Sequence, residues 1–139
     1  MCLYTKQTTI KKAYRVITAY KMIVPTWGMK YLTPYSDTPI PNECLNGERL
    51  FKANGRVTKE KNPHGFFSVC KGLIHCFCSA NDALKEKKTY EDLFDTFVEV
   101  WEVTIPKGTL YYEGSNRTFN GQKNYAAKQI RFVKRLEAN

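Results

Sequence analysis

Apolar positions in this chain fall into short runs separated by polar, turn-rich stretches, a pattern that favours strands over helices. The pivotal stretch is Gly72-Leu73-Ile74-His75-Cys76-Phe77-Cys78-Ser79-Ala80-Asn81-Asp82-Ala83-Leu84-Lys85. Its first half is too short for a buried helix and reads as a strand covered on both faces. Ser79 and Asp82 then stand at capping-box spacing, where a hydroxyl can accept a first-turn amide and a carboxylate suits the helix dipole. A helix is therefore expected over about Ala80 to Lys88, with Thr89 to Asp95 as a further short turn of helix.

Other strands follow from β-branched and aromatic enrichment. Tyr14 to Val24 reads as a first strand or a bent pair, with Tyr14, Val16, Thr18 and Tyr20 on one face. Phe97 to Ile105 is the clearest strand. Pro106-Lys107-Gly108 turns the chain into another strand over Thr109 to Tyr112, and Glu113 to Asn124 is expected to be a loop. Ala126 to Leu136 fits helix or strand. The alternation of Ile130, Phe132 and Lys134 with Arg131, Val133 and Arg135 tips it towards a strand.

Between these runs, Pro25 to Pro41 holds four prolines with Trp27, Tyr31 and Tyr35 among them. That density excludes a helix or a central strand and predicts an ordered aromatic loop, with room for a short strand over Met29 to Leu32. Aromatic rings so placed can stack on a flat ligand or base, or can simply cover the core. Asn54-Gly55, flanked by Leu50 to Ala53 and Arg56 to Lys59, carries the signature of a tight hairpin. Asn46-Gly47 and Asn62-Pro63 are further turn signals. The expected fold is one compact α+β domain over 13–139, preceded by a basic N-terminal arm over 1–12. Its sheet is mixed or antiparallel with about five to seven strands, one main helix and the long Pro/aromatic loop. The arm is read as mobile or as an edge strand ordered on contact.

Charge changes the picture more than composition does. The net charge of +9 is unevenly spread: residues 1–70 carry +7, residues 82–113 carry −4 and residues 114–139 carry +5. Basic ends suggest an anionic partner, or ends held near the acidic middle. Arg49, Lys52, Arg56 and Lys59 on the expected hairpin, with Lys128, Arg131 and Arg135 near the C-terminus, are the candidate phosphate contacts. No apolar run is long enough to span a membrane and no secretory signal is visible, so five cysteines read as reduced thiols in a cytoplasm. On that reading the Asn116-Arg117-Thr118 sequon carries little weight.

Catalytic and metal chemistry is sparse. There is no P-loop, dinucleotide fingerprint, nucleophile elbow or H-E-x-x-H. Cys70, Cys76, Cys78, His64 and His75 raise the question of zinc. Alternation places Cys76 and Cys78 opposite His75, so inert buried thiols are expected, and neither metal nor cofactor is implied. His75 reads by default as a core histidine and not as half of a Cys–His dyad. Glu99 and Glu102 fall on opposite strand faces, whereas Glu113, beside Tyr112 at a strand end, could polarise a ribose hydroxyl.

Three stretches carry a resemblance: G-L-I-H-C-F-C-S-A-N-D-A-L at 72–84, V-E-V-W-E-V-T-I-P-K-G-T-L-Y-Y-E-G at 98–114 and N-Y-A-A-K-Q-I-R-F at 124–132. They resemble a loose set of small proteins, without assigned activity, from Bacteroides-type gut bacteria and their phages and mobile elements. The Tyr-rich early strand, the His-bearing strand before a capped helix and the late Glu are similar, more distantly, to ADP-ribosyltransferase-like folds. That likeness would single out His75, Tyr111 or Tyr112, and Glu113. The expected function is non-enzymatic binding of an anionic partner, a nucleotide or nucleic acid, with Trp27, Tyr31 or Tyr35 stacking. The phage-like resemblance extends this to an accessory role on a nucleotide signal or host factor. The alternatives are an ADP-ribosyltransferase-like enzyme, or a structural or protein-interaction piece that meets an acidic partner or self-associates.

Overall fold

The computed structural model describes residues 3–28, 30–35, 37–61, 65–115 and 122–136, with Cys70 and Lys71 by backbone alone. Met29, the Asn62-Pro63 turn, His64, the 116–118 sequon and Gly121 lie outside the described residues. Among the described residues the strands are β1 (Leu3–Thr5), β2 (Lys11–Lys12), β3 (Ile17–Pro25), β4 (Tyr31–Leu32), β5 (Pro39–Ile40), β6 (Phe51–Lys52) and β7 (Thr58–Lys61). They continue with β8 (Phe67–Lys71), β9 (Ile74–Phe77), β10 (Glu99–Ile105), β11 (Leu110–Ser115), β12 (Lys123–Ala127) and β13 (Gln129–Leu136). Two helices complete the set, α1 (Asn42–Leu45) and α2 (Ala80–Phe94).

The expected α+β domain with five to seven strands and one main helix is therefore corrected to a mostly-sheet fold: thirteen strands, curled into a half-barrel, and two helices. Several of the additional strands, β1, β2, β5 and β6, are two or three residues long with no alternation to mark them. Long-range pairing alone defines them. Leu3–Thr5, inside the expected basic arm, pairs with β8 on one side and β11 on the other, and Leu3 is fully buried. β2 pairs with the other half of β11. Gln7 fills the gap between them: its side-chain amide donates to Tyr111 O at 3.2 Å and accepts from Glu113 N at 3.0 Å, standing in for a ladder peptide.

The sheet runs β6-β13-β10-β3-β9-β12-β11-β1-β8-β7, and among the described residues its strands pair antiparallel. Ten strands laid flat at about 4.8 Å spacing would hold the two edges about 43 Å apart. Yet β6 and β7 are joined by residues 53–57 alone, a connection that reaches about 22 Å at most. The sheet must curl. This overturns the hairpin expected at Asn54-Gly55: its arms separate, Phe51–Lys52 to β13 and Thr58–Lys61 to β8. The turn signal was read correctly as a change of direction and wrongly as a local pairing.

The strap at 53–57 seats on Gly72, which has φ +82°; a β-carbon there would lie 2.6 Å from the Arg56 carbonyl and Val57 N. Only glycine satisfies both the left-handed backbone and the close approach.

Helix α2 starts as expected, with the Ser79 hydroxyl accepting from Asp82 N at 3.3 Å. It runs unbroken to Phe94, joining the two helical pieces expected from sequence, because Tyr90 is buried with Ala83 against Met22, Phe77, Val98 and Val100. Asp95 closes it in the left-handed conformation, and Glu91 ties it to β10 by accepting from Val98 N at 3.0 Å. On the other face of β3 and β10 lies the larger core, with Ala19, Ile23, Val103, Ile105, Ile130 and Phe132. Glu113 stands in paired strand opposite Tyr125, and Gly114 and Ser115 pair with Asn124 and Lys123, so both ends of the expected 113–124 loop are strand. The alternation over 130–135 falls in strand β13, but the single strand expected over 126–136 is broken at Lys128, its first two residues closing β12. Among the described residues no helix is long and apolar enough to cross a membrane.

Gly72→Ala should destabilise the protein by about 2–4 kcal/mol, combining left-handed strain with overpacking against the strap. Urea denaturation would measure this, and a midpoint equal to wild type would show that the strap does not rest on Gly72.

Candidate functional site

The ladder between β3 and β9 is reduced to a single aligned pair, Tyr20 and Phe77. Beside this thin seam a cavity of about 420 Å³ opens. Its floor is Lys21 and Met22 from β3 with Leu73, Ile74, His75 and Phe77 from around β9, and its walls are residues 33–35 with Thr38 on one side and residues 51–54 on the other. Strand alternation explains the floor. Lys21 shares the buried face of Ala19 and Ile23 and is itself only 6% exposed. Its Nζ donates to His75 O at 2.9 Å, supplying a bond that the lapsed ladder does not.

The electrostatics of the floor are set by desolvation. Burial lowers the Lys21 pKa, against a smaller opposing effect of the Cys76 thiol. Burial, and secondarily the Lys21 charge, brings His75 down to about 3, so its ring is neutral at ordinary pH. Both ring nitrogens are buried, and among the described residues neither has a hydrogen-bond partner, an expensive arrangement for a folded protein to keep. Burial pushes Cys76 up to about 12, which leaves it a thiol.

The walls hold strain. Tyr35 (φ 66°) and Asp37 (φ 53°) adopt left-handed backbone, unusual for a bulky aromatic. Asp37 N and Thr38 N both bond back to Thr33, and Thr33 N donates to Thr38 O at 2.9 Å. The Tyr35 ring sits edge-on to Tyr90 at 5.1 Å and Phe94 at 6.0 Å. The loop is thus anchored to α2 while its other side faces the cavity.

Of the residues selected from sequence, Tyr35, Lys52 and His75 meet at this cavity. The others do not gather there. Trp27 stands 99% exposed at the β3–β4 turn, covering nothing, whereas Tyr31 packs against the large core. Arg49 pairs with Glu43 at 3.6 Å. Lys59 donates to Thr8 O and lies over the rings of Phe67 and Tyr112. Arg131 donates to Gly47 O, and Arg135 pairs with Glu99 at 3.6 Å. Arg56 is exposed on the strap, and Lys128 is exposed between β12 and β13.

The grouping implied by the transferase-like resemblance divides across the sheet. Register aligns His75, Ala126 and Tyr112 on one face and Cys76, Tyr125 and Glu113 on the other. Glu113 lies instead near Tyr111, Tyr125 and Cys78, where burial pushes the thiol up to about 11. Among the described residues no three His, Cys, Asp or Glu side chains are placed to hold a metal ion. The sequence reading missed Lys21, Thr33, Phe51 and Leu73. Lys21 did leave a signal, since it is the only charge inside the run Ile17 to Val24 and alternation puts it with Ala19 and Ile23.

No protein-family model, curated protein or solved structure matches this chain.

The His75 ring carries more protons in the unfolded chain than in the folded protein between pH 6.5 and about 3. Stability is therefore unaffected by this group above pH 6.5 and falls as pH drops below it, by up to about 1.4 kcal/mol per pH unit. In urea titrations from pH 7 to pH 4, wild type should lose more stability than His75→Gln. Equal losses would mean that the ring titrates normally.

Proposed function

We propose that the protein binds an anionic small molecule of nucleotide size in the cavity of Lys21 and His75, as a binding protein and not as an enzyme. The observation that carries this reading is the floor itself, a buried lysine and a buried histidine with no hydrogen-bond partner among the described residues, beside an open volume. Polar groups so costly to bury are kept where a ligand completes their hydrogen bonding. A volume of about 420 Å³ lies in the range of small-molecule sites and suits a mononucleotide. Tyr35 at the wall offers a ring for stacking, and exposed Lys52 offers a cation for a phosphate.

A mononucleotide fits these features better than a nucleic-acid strand. A polymer needs a continuous track of free cations, and here Arg49, Lys59, Arg131 and Arg135 already have partners on different parts of the sheet. The +9 net charge still favours encounter with any anion.

Calorimetric titration with a panel of nucleoside mono-, di- and triphosphates should find saturable, salt-weakened binding. Tyr35→Ala should weaken it by about tenfold or more, in line with the loss of one stacking contact. Lys52→Ala should weaken it less and flatten the salt dependence. A panel with no heat of binding and no thermal shift would remove this reading.

A further inference from the structure

Lys21 is unlike the other cations of this protein. It sits on a strand face between Ala19 and Ile23, both fully buried. Among the described residues it enters no ion pair; Glu43, Glu91 and Glu99 pair instead with Arg49, Lys87 and Arg135. Its Nζ donates a hydrogen bond to a main-chain carbonyl, that of His75, at 2.9 Å. An amine needs only one N–H for that bond, and as a free base it keeps a lone pair for chemistry. The residue also lines the cavity, within reach of whatever enters.

We propose that Lys21 is a nucleophile that captures a small aldehyde or ketone bearing an anionic group as an imine in this cavity. The proposal rests on the reading that the cavity admits small anionic molecules, and it names the chemistry of the ligand's inner end. Desolvation supports it, because a lysine kept from water without a carboxylate favours its neutral, nucleophilic form. The step balances without a further reagent. The Nζ lone pair attacks the carbonyl carbon, the C=O π bond opens, and one N–H proton passes to oxygen to give a carbinolamine. Loss of that hydroxyl with the second N–H proton releases water and leaves the C=N bond. His75 lines the same cavity as a neutral ring, so it adds no competing charge beside the amine. Lys52 at the wall receives the anionic group, which selects charged carbonyl compounds over neutral ones.

The test uses the intact protein with glyoxylate as probe at pH 7, cyanoborohydride to fix any imine, and peptide mass spectrometry to locate the adduct. Exposed Lys107 and Lys128 serve as internal controls. The expected result is reduced adduct on Lys21 forming about tenfold or more faster than on the controls, since an ordinary lysine is almost wholly protonated at that pH. Acetaldehyde, which lacks the anion, should lose most of that preference, and Lys52→Ala should lose it for glyoxylate. An unmodified Lys21, or one modified no faster than Lys128, overturns the proposal. If nucleotides bind and Lys21 stays unmodified, the carbonyl proposal alone falls. If Lys21 is trapped while no nucleotide binds, the nucleotide reading alone falls.

Discussion

Joining the two outer edges of one sheet with residues 53–57 obliges that sheet to curl, and much of the structure follows from that constraint. The strap cannot reach unless the ten-strand path bends through most of a turn. Bending brings residues 51–54 over the seam between β3 and β9 and gives the cavity one of its walls. Gly72 makes the approach sterically feasible, since a side chain there would meet the Arg56 and Val57 backbone. Curling also divides the interior. One core fills the face with Phe51 and Phe132, and a second lies under α2 around Phe77 and Tyr90.

The seam is where this arrangement carries unusual cost. Elsewhere β3 pairs with β10 along seven aligned residues, but it meets β9 at one. The gap leaves a carbonyl for Lys21 and space for a cavity, at the expense of burying an amine and an imidazole. Both groups respond by favouring their neutral forms. The left-handed Tyr35 is a second local cost at the same place, held by ring contacts to Tyr90 and Phe94. Strain and desolvation meeting around one volume set it apart from the rest of the surface.

Local signals were legible wherever a single segment decides its own structure. The Ser79 cap, the strand at Phe97 to Ile105 and the turn at Pro106 to Gly108 were all readable because propensity, capping and alternation act over a few residues. The helix runs through Lys88 and Thr89 without the expected division, for a tertiary reason: Tyr90 is buried under β3 and β10 and holds the two parts as one. At the site, His75, Tyr35 and Lys52 were chosen from sequence for separate reasons, and nothing local linked them. Lys21 was visible as a lone charge in an apolar run, yet its importance depends on what lies across the seam.

The sequence by itself determined the identity of most long strands, the start of the main helix, the positive charge and the placing of turns. Each of these depends on residue types a few positions apart. Tertiary structure alone decided the number of strands, the separation of the Asn54-Gly55 arms and the split of His75 and Glu113 onto opposite faces. It also decided which cations are already engaged. Two-residue strands such as β2, β5 and β6 have no periodicity of their own, and a strand's register and face are set by the partner it meets, often far along the chain.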